Sequence, residues 1–136
     1  MFATPVSALW IDSGMNTRTI FLFSRTMPCS SIQTPGWDAD GRLPSGAQVV
    51  ELKVWGTMPA SFKVVTTLTP AAGEASCSFT VAMPGATDTV ARGGTVEICS
   101  IAANANATGA FALTFAAGGI ANGTFNATFC AGGQEP

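Results

Sequence analysis

Apolar and polar side chains alternate most regularly between Gln48 and Thr69. Gln48-Val-Val-Glu-Leu-Lys-Val-Trp-Gly56 alternates, and after Thr57-Met-Pro-Ala60 the run Ser61-Phe-Lys-Val-Val-Thr-Thr-Leu-Thr69 alternates again. A period of two residues is the mark of a half-buried strand, and two such runs around a short turn predict a hairpin. Val50, Leu52 and Val54 share one face of the first strand, and Phe62, Val64, Thr66 and Leu68 share one face of the second. The apolar members of both sets are core candidates. If the two runs pair, Glu51 opposite Lys63 is the favoured register, because a shift by two residues sets Lys53 against Lys63.

The same pattern extends along the chain. Pro5 to Ile11 reads as a first strand, followed by turn formers at 12–16. Thr17 to Ser24 sets Ile20 and Leu22 on one face and Phe21 and Phe23 on the other, so both sides are expected to be covered. Further strands are predicted over Ala75 to Ala82, Thr89 to Ala91, Thr95 to Ile101, Gly109 to Phe115 and Ile120 to Cys130. Ala102 to Gly109 is alanine-rich, but its asparagines, threonine and glycine favour a loop over a helix.

That gives about eight strands separated by turns bearing glycine or proline, with no helix. The expected fold is all-β, one antiparallel sandwich domain over 1–136, jelly roll favoured over immunoglobulin-like. Both Trp37 and Trp55 precede the Cys77 and Cys99 pair, which breaks the immunoglobulin spacing. Two segments fall outside the pattern. Residues 25–47 form a long irregular loop with Pro28, Pro35, Gly36, Gly41, Pro44 and Gly46, and 131–136 read as a loose tail. Long loops inside small domains are usually functional or disordered. Trp37 within this loop either caps its own core, the weightier reading, or contacts a partner.

Composition narrows the function classes. Apolar residues make up 47% of the chain and charged residues 10%, with a net charge of −2. So few charges leave no electrostatic footprint for nucleic acid, and suit a surface packed against a partner. No apolar run is long enough for a membrane-spanning helix. The first ten residues lack the basic and apolar regions of a signal peptide, from which cytosolic synthesis without processing is expected. Cys29, Cys77, Cys99 and Cys130 lie 48, 22 and 31 residues apart with no close pair. Two disulfides are possible, but free buried thiols are expected in a reducing cytosol.

Candidate chemistry is sparse. Histidine and tyrosine are both absent, which removes the commonest general base and the usual partner of a nucleophile, so no enzyme is expected. No zinc pattern is present, and no cofactor or metal is expected. Asp38-x-Asp40-Gly41 matches part of a calcium loop, but the later ligands are missing, and an exposed turn is the expected reading. Asn106-Ala-Thr108, Asn122-Gly-Thr124 and Asn126-Ala-Thr128 match the glycosylation pattern, which arises easily in so Asn- and Thr-rich a chain.

In size, composition and strand pattern the whole chain resembles the small head-decoration and cementing proteins of tailed bacteriophages, in character the jelly-roll type of a Bordetella phage. The resemblance implies a structural protein on the outside of an icosahedral shell. It would bind the major capsid protein there as a homo-oligomer, dimer favoured over trimer, after synthesis in the host cytoplasm. No residue roles follow from it. On physical grounds the expected partner-binding residues are Phe2, Trp37, Asp38, Asp40 and Arg42, together with any unpaired sheet edge. The alternative is a secreted or surface adhesion or carbohydrate-binding module, with oxidised cysteines, occupied sequons and exposed aromatics such as Trp10, Trp37 or Trp55.

Overall fold

The computed structural model describes residues 5–38, 43–67, 69–83 and 88–136. Within them the chain forms nine strands: β1 (Ser7–Gly14), β2 (Thr17–Phe23), β3 (Gln48–Trp55), β4 (Ala60–Val64), β5 (Glu74–Val81), β6 (Thr89–Val90), β7 (Gly93–Ser100), β8 (Ala107–Thr114) and β9 (Ile120–Phe129). Short 3-10 turns occupy Cys29–Ile32 and Ala116–Gly118, and no α-helix occurs among the described residues. The all-β expectation is met.

The strand order is β3-β2-β1-β9-β8-β7-β4-β5-β6, and a further pairing of β3 with β5 closes the sheet into a barrel. Two antiparallel groups make up the wall. One is β1-β2-β3-β5 and the other β9-β8-β7-β4, each held by long ladders. They are joined at two short parallel seams, Leu9–Trp10 beside Thr128–Phe129 and Lys63–Val64 beside Glu74–Ala75. Where a two-layer jelly roll was expected, the hydrogen-bonded wall runs round continuously.

The predicted hairpin between the two best-patterned runs does not form. β3 pairs with β2 and β5, and β4 pairs with β5 and β7. Glu51 therefore lies between Phe21 and Ser78, while Lys63 lies beside Glu74 and Thr95. Alternation sets the face a residue presents but not the strand it sits beside. The face assignments hold: Val50, Leu52, Val54, Phe62 and Val64 are all buried inside the barrel, and Leu68 lies outside the described residues.

The lumen is filled by residues from every long strand, among them Trp10, Ile20, Leu22, Val96, Ile98, Phe111, Leu113 and Phe125. Gly94 has φ of 115°, and a Cβ there would run into the Ala112 carbonyl. Glycine is thus what lets β7 and β8 approach at that point.

A second apolar cluster lies on the outside of the same wall. Leu9, Ile11, Phe21, Phe23 and Val49 point outward and are covered by Met27, Ile32, Trp37 and Leu43 from the 25–47 arm. Hence Phe21 and Phe23, like Ile20 and Leu22, are completely buried, as their two-sided apolar pattern predicts. Trp37 meets Phe21 edge-on at 5.0 Å and Phe23 at 6.0 Å, and its indole N–H donates to the Gln134 carbonyl at 2.8 Å.

Two readings of the ends of the chain are corrected. Cys29 and Cys130 form a disulfide across 101 residues, while Cys77 is a free buried thiol and Cys99 a free exposed one. Sequence spacing could not show that the arm returns to the end of β9. The tail is also not loose. Gln134 N–H donates to the Ile32 carbonyl at 2.8 Å, and one Glu135 carboxylate oxygen accepts from Ser13 at 2.7 Å and Thr19 at 2.8 Å while pairing with Lys53 at 3.3 Å.

Candidate functional site

Of the five sequence-predicted partner residues, Trp37 and Asp38 lie among the described residues, and their side chains do not share one exposed patch. Trp37 is 2% exposed and belongs to the cluster beneath the arm, the first of the two readings given for it. Asp38 follows it at the surface, its carboxyl raised by partial burial and then by the Asp88 charge. Phe2, Asp40 and Arg42 lie outside the described residues, as does most of the calcium-like turn. Among the described residues no group of three or more His, Cys, Asp or Glu side chains is placed to hold a metal ion.

Near Asp38, Glu51 projects from the outer face of β3 and is the most perturbed carboxyl described. Its pKa is pushed up to about 7, first by burial and then by Glu135, with Lys53 opposing and Asp88 and Asp38 adding smaller effects. Glu51 also helps to raise the Cys77 thiol to about 12, where burial in the lumen is the main cause. Glu51 lies on the outside of the wall and Cys77 inside it, and a neutral Glu51 is what its partly dry position favours.

A cleft of about 360 Å3 opens at one end of the barrel. Its walls come from three connections and one strand end: Asp12, Asn16 and Arg18 of the β1–β2 hairpin, Gly56, Thr57 and Met58 after β3, Ile101 to Asn104 after β7, and Phe129 at the end of β9. Trp10 forms the floor, with its indole N–H donated to the Ala105 carbonyl at 2.8 Å. The hairpin is fixed by Gly14, Met15 and Asn16, all at positive φ, and by Asp12, whose carboxylate accepts from the Gly14 N–H at 2.8 Å. Gly56 N–H donates to the Asn16 carbonyl at 3.0 Å, tying the end of β3 to the hairpin. Arg18 pairs with Asp12 at 3.2 Å, so the rim carries one charge of each sign.

Chemically the cleft can hold a ligand but offers no nucleophile with an adjacent base. Sequence reading placed its parts separately, as turn formers at 12–16, a loop after Ile101 and a last strand over Ile120 to Cys130. Their convergence depends on strand order, for which no local signal exists.

A different surface lies on the outer face of β7, β8 and β9. Thr95, Ala112 and Asn122 stand in one cross-strand row and Glu97, Ala110 and Thr124 in the next. Thr114 beside Ile120, which is 59% exposed, forms the row on one side of these, and Thr108 beside Asn126 the row on the other. Glu97 is the single charge in this array, and the exposed Cys99 thiol beside it donates to its carboxylate at 3.3 Å. In comparisons with family models, curated proteins and solved structures, nothing matches this chain.

Proposed function

We propose that this chain is a non-catalytic structural protein that decorates and cements the outside of an icosahedral phage capsid by binding the major capsid protein. The observation that carries the reading is the β7–β8–β9 face, a broad row of Thr, Ala and Asn side chains with one carboxylate. Covering such a surface costs little desolvation, because hydroxyls and amides re-form hydrogen bonds with a partner and few charges must leave water. Symmetric homo-oligomers, a dimer before a trimer, would multiply weak contacts over a repeating shell. The Cys29–Cys130 bond fits work outside a reducing cytosol, since a virion meets an oxidising medium after release.

Co-expression with the major capsid protein encoded nearest its gene tests the proposal. The chain should sediment with assembled shells at fixed stoichiometry, and Thr124→Arg on the β9 face should release it. Parent chain that stays in the supernatant while shells assemble rules the function out.

A further inference from the structure

We infer that the cleft at the barrel end is a binding site for a single neutral sugar ring, a pyranose presented as a glycoside. Three observations converge on this chemistry. The cleft is about 360 Å3, the scale of a small-ligand site, and the mouth of a β-barrel is a place where such sites recur. Its apolar side is built from Phe129 and Met58 above the Trp10 floor, with the Trp10 and Phe129 rings 4.7 Å apart. An aromatic and thioether surface accepts the C–H face of a sugar ring. Its polar side presents groups that both donate and accept: the amides of Asn16 and Asn104 and the hydroxyl of Thr57. Ring hydroxyls are themselves donors and acceptors, so amides and hydroxyls match them better than a uniformly charged rim.

Charge selects against ionic ligands. The Asp12 and Arg18 charges compensate each other at 3.2 Å, so the rim has no net charge to attract a carboxylate, phosphate or ammonium. The backbone fixes where the two amides stand. Met15, Asn16 and Asn104 are the non-glycine residues at positive φ among those described, at 50°, 60° and 59°. All three fall in the loops at this end of the barrel, and both asparagines line the cleft. Left-handed backbone is least costly for asparagine, and at Met15 and Asn16 it is what the two-residue turn between β1 and β2 requires.

The site does not depend on the shell-binding proposal, and its test involves no capsid. The methyl glycosides of glucose, galactose, mannose and N-acetylglucosamine are titrated into the full chain, followed by saturation-transfer NMR and tryptophan fluorescence. At least one should bind saturably, with a Kd on the order of millimolar, as expected for a single sugar contacted by few groups. The double variant Asn16→Gly with Asn104→Gly keeps the left-handed backbone and removes both amides. It should bind at least tenfold more weakly while its unfolding midpoint stays near the parent's. Lys63→Ala, on the outer face of β4, should bind as the parent does. No saturable signal with any of the glycosides, or full binding retained in the double variant, overturns the inference.

Discussion

Trp10 and Phe129 are partners across the parallel seam that joins β1 to β9, with ring centroids 4.7 Å apart and planes inclined at 55°. The seam has only two residue pairs, so this aromatic contact supports a junction that few backbone bonds hold. Phe129→Ala should lower stability by about 2 kcal/mol, less than a fully buried phenylalanine because the ring is half-buried. Urea unfolding measures the loss, and an unchanged midpoint would show that the seam needs no ring contact.

Trp37 belongs to the core that the arm makes on the outer wall. Trp37→Ala should cost about 3–5 kcal/mol and uncover Phe21 and Phe23, raising binding of a hydrophobic dye. A variant that keeps the parent's melting temperature would place Trp37 at the surface instead.

The disulfide acts on the same arm. Cys29→Ser with Cys130→Ser should lose about 2–5 kcal/mol, mainly by freeing the unfolded chain. Proteolysis should then cut first within 25–47, and cleavage starting elsewhere would mean that the arm stays down without its covalent tie.

Glu51 gives the fold a pH dependence of definite sign. Its folded pKa of about 7 lies above the ordinary 4.5, so between those values the folded chain holds a proton that the unfolded chain has released. Its contribution is complete below about pH 4.5 and is lost as pH rises through about 7, of order 2 kcal/mol after allowing for its partial exposure. Glu51→Gln should flatten this slope and be more stable than the parent at pH 8. A parent whose stability rises across that window would contradict the assignment.

The sequence carried the faces of strands well and their neighbours poorly. Val50, Leu52, Val54, Phe62 and Val64 were readable because a buried face imposes period two on each strand by itself. The unbroken run from Ile20 to Phe23 announced cover on both sides, and the arm supplies it. By contrast, Glu51 beside Ser78 instead of Lys63 depends on β3 reaching β5, a contact between segments that no local pattern links. The Cys29–Cys130 bond and the grip on Glu135 are of the same kind. So is the cleft, whose residues come together only when three separate connections meet the end of β9.

The Cys29–Cys130 bond also determines how the molecule bears load. A pull applied between the two ends of the chain passes from Cys29 directly to Cys130, leaving everything from the arm through β9 inside a covalent ring that cannot lengthen. Only β1, β2 and the short tail after Cys130 can be drawn out, and the β1–β2 and β2–β3 ladders and the β1–β9 seam must be opened to free the two strands. Most of the barrel is thereby insulated from tension between the termini, which makes the chain a short, stiff tether.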